Sequence, residues 1–319
     1  MTQHSKVMAF VHTLRYEADG IVSMELRPQG DQVFSPFTPG AHIDLHLGNG
    51  LVRSYSLLNS PDDCSRYVVG VLHDRNSRGG SAYVHQHLRV GMTLPISPPR
   101  NHFQLDEGAG HSVLVAGGIG VTPIYCMFNR LRTLGRSVEL LYCARSRKEA
   151  AFVAELAAVT EVPVKLHFDD EQGGPVDLRA FLGERPSSAH FYCCGPAPMI
   201  EAFESLCESL GHDAVHVERF AAVPQALEAP RGAYEVQLAR SSRVIEVPSG
   251  KSLLEALLES GVEVDCSCRE GVCGTCETAV LEGEPDHRDA VLTQAEKAAN
   301  RTMMVCVSGA RSARLVLDL

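Results

Sequence analysis

Apolar and polar positions change rhythm twice along the 319 residues of this chain. From about Val7 to Pro99 the apolar residues form short alternating runs broken by Gly, Pro and Asn, as in Ile43-Asp-Leu-His-Leu47 and Tyr67-Val-Val-Gly-Val71. Such runs predict half-buried strands, and their number predicts an antiparallel barrel or sandwich. Past Glu107-Gly-Ala-Gly110 the apolar runs become continuous and alternate with helical patterns. Strands are predicted over Ser112–Ala116, Val138–Tyr142, Val162–Phe168 and Ala189–Cys193, with helices past Thr122, over Lys148–Val159 and over Met199–Leu210. That alternation is the mark of a parallel sheet with crossover helices. The stretch Ala226–Gly232 has no period and reads as a linker. Strands at Tyr234–Leu238 and Val244–Val247 and a helix over Ser252–Ser260 follow it. The expected fold is multidomain: a β-barrel over 1–106, an α/β parallel-sheet domain over 107–225, a linker over 226–233, and an α+β domain over 234–319.

Composition narrows the class. An apolar fraction of 45% with 21% charged residues describes a soluble globular protein. No basic start followed by an apolar run is present, and no apolar segment is long enough to span a bilayer, so a cytoplasmic monomer is expected, with no membrane partner. The net charge of −10 speaks against nucleic acid. Residues 234–319 hold 9 Lys+Arg against 14 Asp+Glu, a balance of −5, which is half the total excess. A solvated acidic face explains that as well as a docking surface for a basic partner does.

Eleven cysteines without a secretory signal suit a reducing compartment, so a disulfide framework is not expected. Four of them have a more specific use. In Asp265-Cys-Ser-Cys-Arg-Glu-Gly-Val-Cys-Gly-Thr-Cys276, the residues Cys268, Cys273 and Cys276 have the C-x4-C-x2-C spacing of a plant-type 2Fe-2S cluster, and Cys306 supplies a distant fourth thiolate. Gly271 and Gly274 would let backbone N–H groups turn toward the sulfurs. A zinc site would more usually pair two short spacings, whereas here three cysteines share one run. Cys266 falls outside the spacing and is expected to be a small, partly buried side chain.

Three other strings carry candidate chemistry. Arg53-Ser54-Tyr55-Ser56 follows a predicted strand; its Arg suits a phosphate, its Tyr a flat ring, and its last Ser a ring nitrogen. Arg78-Gly79-Gly80-Ser81 opens a short helix over Ala82–Leu88, with Ser81 as the expected N-cap, where a phosphate would meet free N–H groups. Gly117-Gly118-Ile119-Gly120-Val121-Thr122-Pro123 follows the first parallel strand and opens a helix, as a pyrophosphate site does, although Pro123 breaks the G-x-G-x-x-G fingerprint. Cys193-Cys194-Gly195-Pro196 stands at the ligand end of a later strand. Each string alone is equally readable as ordinary structure.

Their order is more specific. RSYS, RGGS, GGIGVTP, CGPAPM, Glu218-Arg219-Phe220 and a C-terminal cluster loop together resemble the phthalate dioxygenase reductase family, most closely its vanillate demethylase reductase branch, over essentially the whole chain. The resemblance implies an NAD(P)H-dependent oxidoreductase with FMN on the barrel, NADH on the sheet domain, and a ferredoxin domain that delivers electrons to a terminal oxygenase, a Rieske-type oxygenase or demethylase. Hydride would pass to the flavin, and single electrons from there to the cluster. Carried over by motif, Arg53 and Arg78 with Gly80 and Ser81 would hold the FMN phosphate, Tyr55 and Ser56 would contact the isoalloxazine, and Ser54 and Gly79 would complete the cofactor-binding strings. Gly117, Gly118, Gly120 and Thr122 would meet the dinucleotide, Cys194 with Gly195 and Pro196 would approach the nicotinamide, and Phe220 would lie against the flavin. Ser56, Cys194 and Phe220 form the implied catalytic set. The Asp-Cys-Ser-Cys start departs from the family pattern by its extra cysteine. A haem or di-iron monooxygenase is the alternative client, and a non-enzymatic iron–sulfur carrier is the alternative class.

Donor choice is expected to turn on Arg145 and Arg147, which follow the strand Val138–Cys143, where an adenosine ribose would dock. An Arg there accommodates a 2′-phosphate, and no carboxylate follows before Glu149. With the family leaning to NADH, the expectation is NADH as better donor with measurable NADPH turnover.

Overall fold

The computed structural model describes all residues except 1–5, 31, 76, 184 and 222–231. Residues 226–231 of the predicted linker thus lie outside the described residues. Six strands form the first sheet: β1 (Val7–Ala18), β2 (Ile21–Pro28), β3 (His42–His46), β4 (Val52–Ser56), β5 (Tyr67–Leu72) and, after helix α1 (Gly80–His87), β6 (Thr93–Ile96). They pair antiparallel in the order β4-β3-β6-β1-β2-β5. Alternate residues point inward, so that Val11, Met24, Leu26, Ile43, Leu45, Val69 and Ile96 make one core.

The second sheet is parallel. It contains β7 (Ser112–Gly117), β8 (Val138–Ala144), β9 (Val164–Phe168), β10 (His190–Cys194) and β11 (Val215–Glu218) in the order β11-β10-β7-β8-β9. Helices α2 (Val121–Thr133) and α3 (Val153–Ala157) cover one face, with Phe128, Leu131 and Leu156 against Leu114, Leu140, Tyr142 and Tyr192. After the short α4 (Asp169–Gln172), helices α5 (Leu178–Leu182) and α6 (Ala197–Leu210) cover the other, with Phe181, Ile200 and Phe203 against Val113, Val115, Leu141 and Phe191. The chain therefore leaves neighbouring strands β7 and β10 toward opposite faces. A crevice opens where two such connections diverge, at the carboxyl ends of the strands.

One predicted helix is shorter than its pattern. Of Lys148–Val159 only α3 is α-helical, because Ala150 and Ala151 are buried as non-helical chain and Phe152 takes a left-handed φ of 62°. Both alanines pack into the core beside Tyr142.

Barrel and parallel sheet form one compact unit that ends at Glu218. It is stitched by Cys126 Sγ–H to the Asn59 carbonyl (3.3 Å), by Asp106 N–H to Tyr192 Oη (2.9 Å), and by the Arg15–Glu155 (2.8 Å) and Arg130–Asp62 (2.9 Å) ion pairs.

The second unit begins at Arg219. Its mixed sheet comprises β12 (Tyr234–Leu238), β13 (Val244–Val247), β14 (Glu277–Glu282), β16 (Thr302–Met304) and β18 (Arg314–Leu317), ordered β13-β12-β18-β14-β16, and β15 (Pro285–Asp286) pairs with β17 (Gly309–Ala310). Helix α7 (Leu253–Glu259) starts in a capping box in which Ser252 and Glu255 satisfy each other's backbone N–H groups. It buries Leu253, Leu254 and Leu257 on the sheet. Helix α8 (Gln294–Ala299) is capped in the same way by Thr293 and Glu296.

Candidate functional site

On the barrel, the pleat of β4 sends Arg53 and Tyr55 to one face and Ser54 to the other. Arg53 donates to the carbonyls of Val52 (2.8 Å) and Arg78 (3.1 Å), which lays its guanidinium across the start of α1. A Cβ on Gly80 would lie 2.5 Å from Arg53 Cγ and 2.7 Å from Nε, so only glycine lets the arginine pack there. A cation and a helix N-terminus thus converge on one spot, which is what a phosphate requires.

The cap differs from expectation. Helix α1 begins at Gly80, and Gly79, with a left-handed φ of 88°, is its N-cap. The side chain that accepts from the first N–H groups is Ser77, from Gly79 N and Ala82 N, both at 3.2 Å. Ser81 instead donates to Ser77 (3.0 Å) and accepts from Asp74 N–H (3.2 Å). The hydroxyl of Ser54 donates to buried Asp44 (2.7 Å), which Arg100 also pairs at 2.7 Å. Its side chain thus braces β4 against β3. Burial pushes the Tyr55 hydroxyl up to about 12, so it stays a neutral donor.

At the switch point, two of the three glycines of the β7–α2 turn are packing requirements. A Cβ on Gly117 would meet Met199 Sδ at 2.6 Å and Pro196 Cδ at 2.7 Å, and one on Gly120 would lie 2.2 Å from the Cys194 carbonyl oxygen. Gly118 has φ +53° and nothing within 4 Å of its missing Cβ, so it leaves the turn open to a ligand. Thr122 is buried and donates to Ile119 O (3.0 Å) within the turn.

Cys194 is fully buried at the end of β10, and burial, then Glu218, raises its thiol well above the ordinary range. Ser56, also buried, donates to Glu218 Oε2 at 3.5 Å. Burial pushes the Glu218 carboxyl up to about 8, against the lowering effect of the Ser56 hydrogen bond. At neutral pH this carboxyl is mostly protonated, so a hydroxyl, a thiol and a carboxylic acid from three strands meet at the crevice. Glu218 is the member the sequence does not reveal: in the string Glu218-Arg219-Phe220 the resemblance gives a role to Phe220 alone, and no spacing joins Glu218 to Ser56. Phe220 lies two residues past β11 and is exposed at 42%.

At the ends of β8 and β9, Arg145 accepts Asp170 N–H at its carbonyl (3.1 Å). Arg147 is gripped by Glu171 through Nε–Oε1 and Nη2–Oε2 bonds of 2.9 Å each and lies 4.3 Å over the Phe168 ring. The expectation of arginines without a neighbouring carboxylate is thereby corrected. Parallel pairing of Ala144 with Phe168 brings α4 alongside, which no short spacing announces.

In the second unit, Arg269, Gly271 and Gly274 take left-handed φ values of 58°, 68° and 72°, which curl the cysteine loop. Glu270 N–H donates to Cys268 Sγ (3.3 Å), and the backbone of Val272 and Gly271 also bonds Cys268 and Cys306 respectively. The Cys273 thiol is raised first by its contact with Cys268 and then by burial, while Cys306 is in contact with Cys268 and Cys276. The contacts link the four thiols in the order Cys273, Cys268, Cys306, Cys276, and backbone groups beside them suit an anionic iron–sulfur cluster. Gly271 has no room for a side chain, since a Cβ would lie 2.6 Å from Val307 Cγ2 and 3.0 Å from Asp289 Cα. Cys266 packs against the apolar core of the unit instead.

Known proteins share this architecture. The profile of the 2Fe-2S iron-sulfur cluster binding domain matches residues 236–311, and that of the dimethylamine monooxygenase subunit DmmA-like N-terminal domain matches residues 92–217. The chain is 50% identical over 97% of its length to the phenoxybenzoate dioxygenase subunit beta of Ectopseudomonas oleovorans, covering 96% of that protein. Among solved structures, phthalate dioxygenase reductase is 37% identical with a TM-score of 0.72, over 99% of this chain and 98% of that one. An intact type IV self-sufficient cytochrome P450 monooxygenase is 37% identical with a TM-score of 0.90, over 98% of this chain but only 41% of that one.

Proposed function

The chain belongs to the family of phthalate dioxygenase reductase and vanillate demethylase reductase, the flavin and 2Fe-2S reductase components of oxygenase systems, and on that footing we propose how its own residues do this work. Bound flavin and cluster supply the conversion of a two-electron donor, NAD(P)H, into single electrons. The meeting of Ser56, Glu218 and Cys194 at the switch point carries the reading.

Arg53 and the start of α1, with Arg78, Gly79, Gly80 and Ser81, hold the terminal phosphate of FMN. Tyr55 lies along the ring system. Gly118 and the N-terminus of α2 receive the dinucleotide pyrophosphate, and Cys194 with Gly195 and Pro196 borders the nicotinamide. The Ser56–Glu218 pair holds a proton beside the flavin ring, and Phe220 is the aromatic residue assigned to the flavin face. Cys268, Cys273, Cys276 and Cys306 bind iron. NADH is the better donor.

Acid release of the flavin followed by chromatography tests the cofactor: a dominant FMN peak is expected, and a dominant FAD peak would overturn that assignment. Anaerobic mixing with NADH should bleach the flavin band before the cluster band. A cluster reduced without prior flavin bleaching would sink the order of transfer.

The partner is the terminal oxygenase of a multicomponent system, and we take it to be a Rieske-type oxygenase. A haem partner is the second reading, favoured by the near-complete likeness to part of the self-sufficient P450. Mixing the reduced protein with the oxygenase encoded beside its gene separates the two by whether a Rieske or a haem spectrum changes.

A further inference from the structure

The arginine that should favour a 2′-phosphate is already occupied. Arg147 stands where the chain leaves β8, on the ligand side of the sheet, three residues past Ala144. Glu171 holds its guanidinium by two bonds of 2.9 Å each, and the guanidinium carbon lies 4.3 Å from the Phe168 ring centroid. The helix that carries Glu171 is tied to the same turn by the Asp170 N–H to Arg145 O bond of 3.1 Å. Phe168 N–H is held in turn by the Gln172 side chain (3.1 Å). Of the two neighbouring carboxylates, Asp169 faces His167 at 3.4 Å, and Asp170 adds a weaker attraction on Arg147 behind that of Glu171. Both members of the Arg147–Glu171 pair are about half exposed, at 54% and 42% of side-chain area, so the pair adds little to fold stability.

We propose that Glu171 is the residue that selects NADH over NADPH: it occupies Arg147 and presents a carboxylate to the 2′ position of the adenosine ribose. A 2′-hydroxyl donates a hydrogen bond to such a carboxylate. A 2′-phosphate, with close to two negative charges, must either displace Glu171 from Arg147 or sit against it. Repulsion between one and two charges about 6 Å apart in water is on the order of tenfold in affinity. The selection therefore comes from a residue 24 positions beyond the arginine it controls.

This rests on the reading that the ribose docks at the end of β8, and the test separates the two. Binding of 2′,5′-ADP and of 5′-AMP to the holoprotein is titrated in wild type, Glu171→Gln, Arg147→Ala and the double variant. Steady-state kcat/KM for NADPH and NADH is measured beside it. Glu171→Gln should tighten 2′,5′-ADP roughly tenfold and raise NADPH kcat/KM by a similar factor, with 5′-AMP changed less than about twofold. Adding Arg147→Ala should abolish that gain, and high salt should shrink it. If Arg147→Ala weakens 2′,5′-ADP while Glu171→Gln changes nothing, the ribose docks here but Glu171 does not select, and the proposal falls. If neither variant moves either probe while NADH still reduces the flavin, the ribose docks elsewhere, and the proposal falls with that reading.

Discussion

Glu218 is the residue whose ionisation the fold alters most usefully. Its carboxyl is raised from an ordinary 4.5 to about 8 by burial. The folded state thus holds the proton more tightly than the unfolded chain. That contribution to stability is complete below about 4.5 and is lost as pH rises through 8. Glu218→Gln should flatten this part of a Tm-against-pH curve. It should also remove a break near pH 8 from the rate of flavin reduction by NADH, and slow that rate roughly ten- to hundredfold. A variant with the wild-type pH profile would show that the carboxyl takes no part. The cysteines are separable one by one as well. Serine at Cys268, Cys273, Cys276 or Cys306 should lose or degrade the visible cluster band, whereas Cys266→Ser should keep it. A cluster that survives Cys268→Ser but not Cys266→Ser would reverse the assignment.

Among the elements, the β7–α2 turn is packed backbone to backbone against the end of β10. Gly120 touches the Cys194–Gly195 backbone, with a missing Cβ 2.2 Å from the carbonyl oxygen and 2.8 Å from the next amide nitrogen. Backbone cannot swing aside as a side-chain tip can. Gly120→Ala should therefore cost about 1–3 kcal/mol, read by thermal unfolding, and raise KM for NADH by displacing the Cys194 turn. Flavin content should stay normal, since Arg53 and α1 lie on another element. Gly118→Ala meets no such neighbour, and its cost comes only from the left-handed φ of 53°. The two glycines look alike in the string GGIG. Only the strand packed behind them tells one from the other.

For the whole molecule, the acidic balance of residues 234–319 predicts a salt effect. Electron transfer to the oxygenase should slow as ionic strength rises, because steering toward a basic face is screened. Reduction of a small neutral acceptor should not. Equal salt dependence for both would remove electrostatics from docking. No helix among the described residues is long and apolar enough to cross a membrane. Much of this protein is written in local spacing. Period-two runs specify the barrel strands, continuous apolar runs the parallel sheet, and C-x4-C-x2-C the cluster loop, because each depends on residues a few positions apart. The helix over Ser252–Ser260 and the Tyr234–Leu238 and Val244–Val247 strands are legible in the same way. Contacts between distant segments are not. Glu218 meets Ser56 across 162 positions, Glu171 meets Arg147 across 24, and Ser54 turns from the ligand face to brace Asp44. A spacing shows which side chains share a strand or a turn. Which strand lies beside it, and so whether a half-buried carboxyl is held protonated or an arginine is free for a phosphate, is decided only when the sheets assemble.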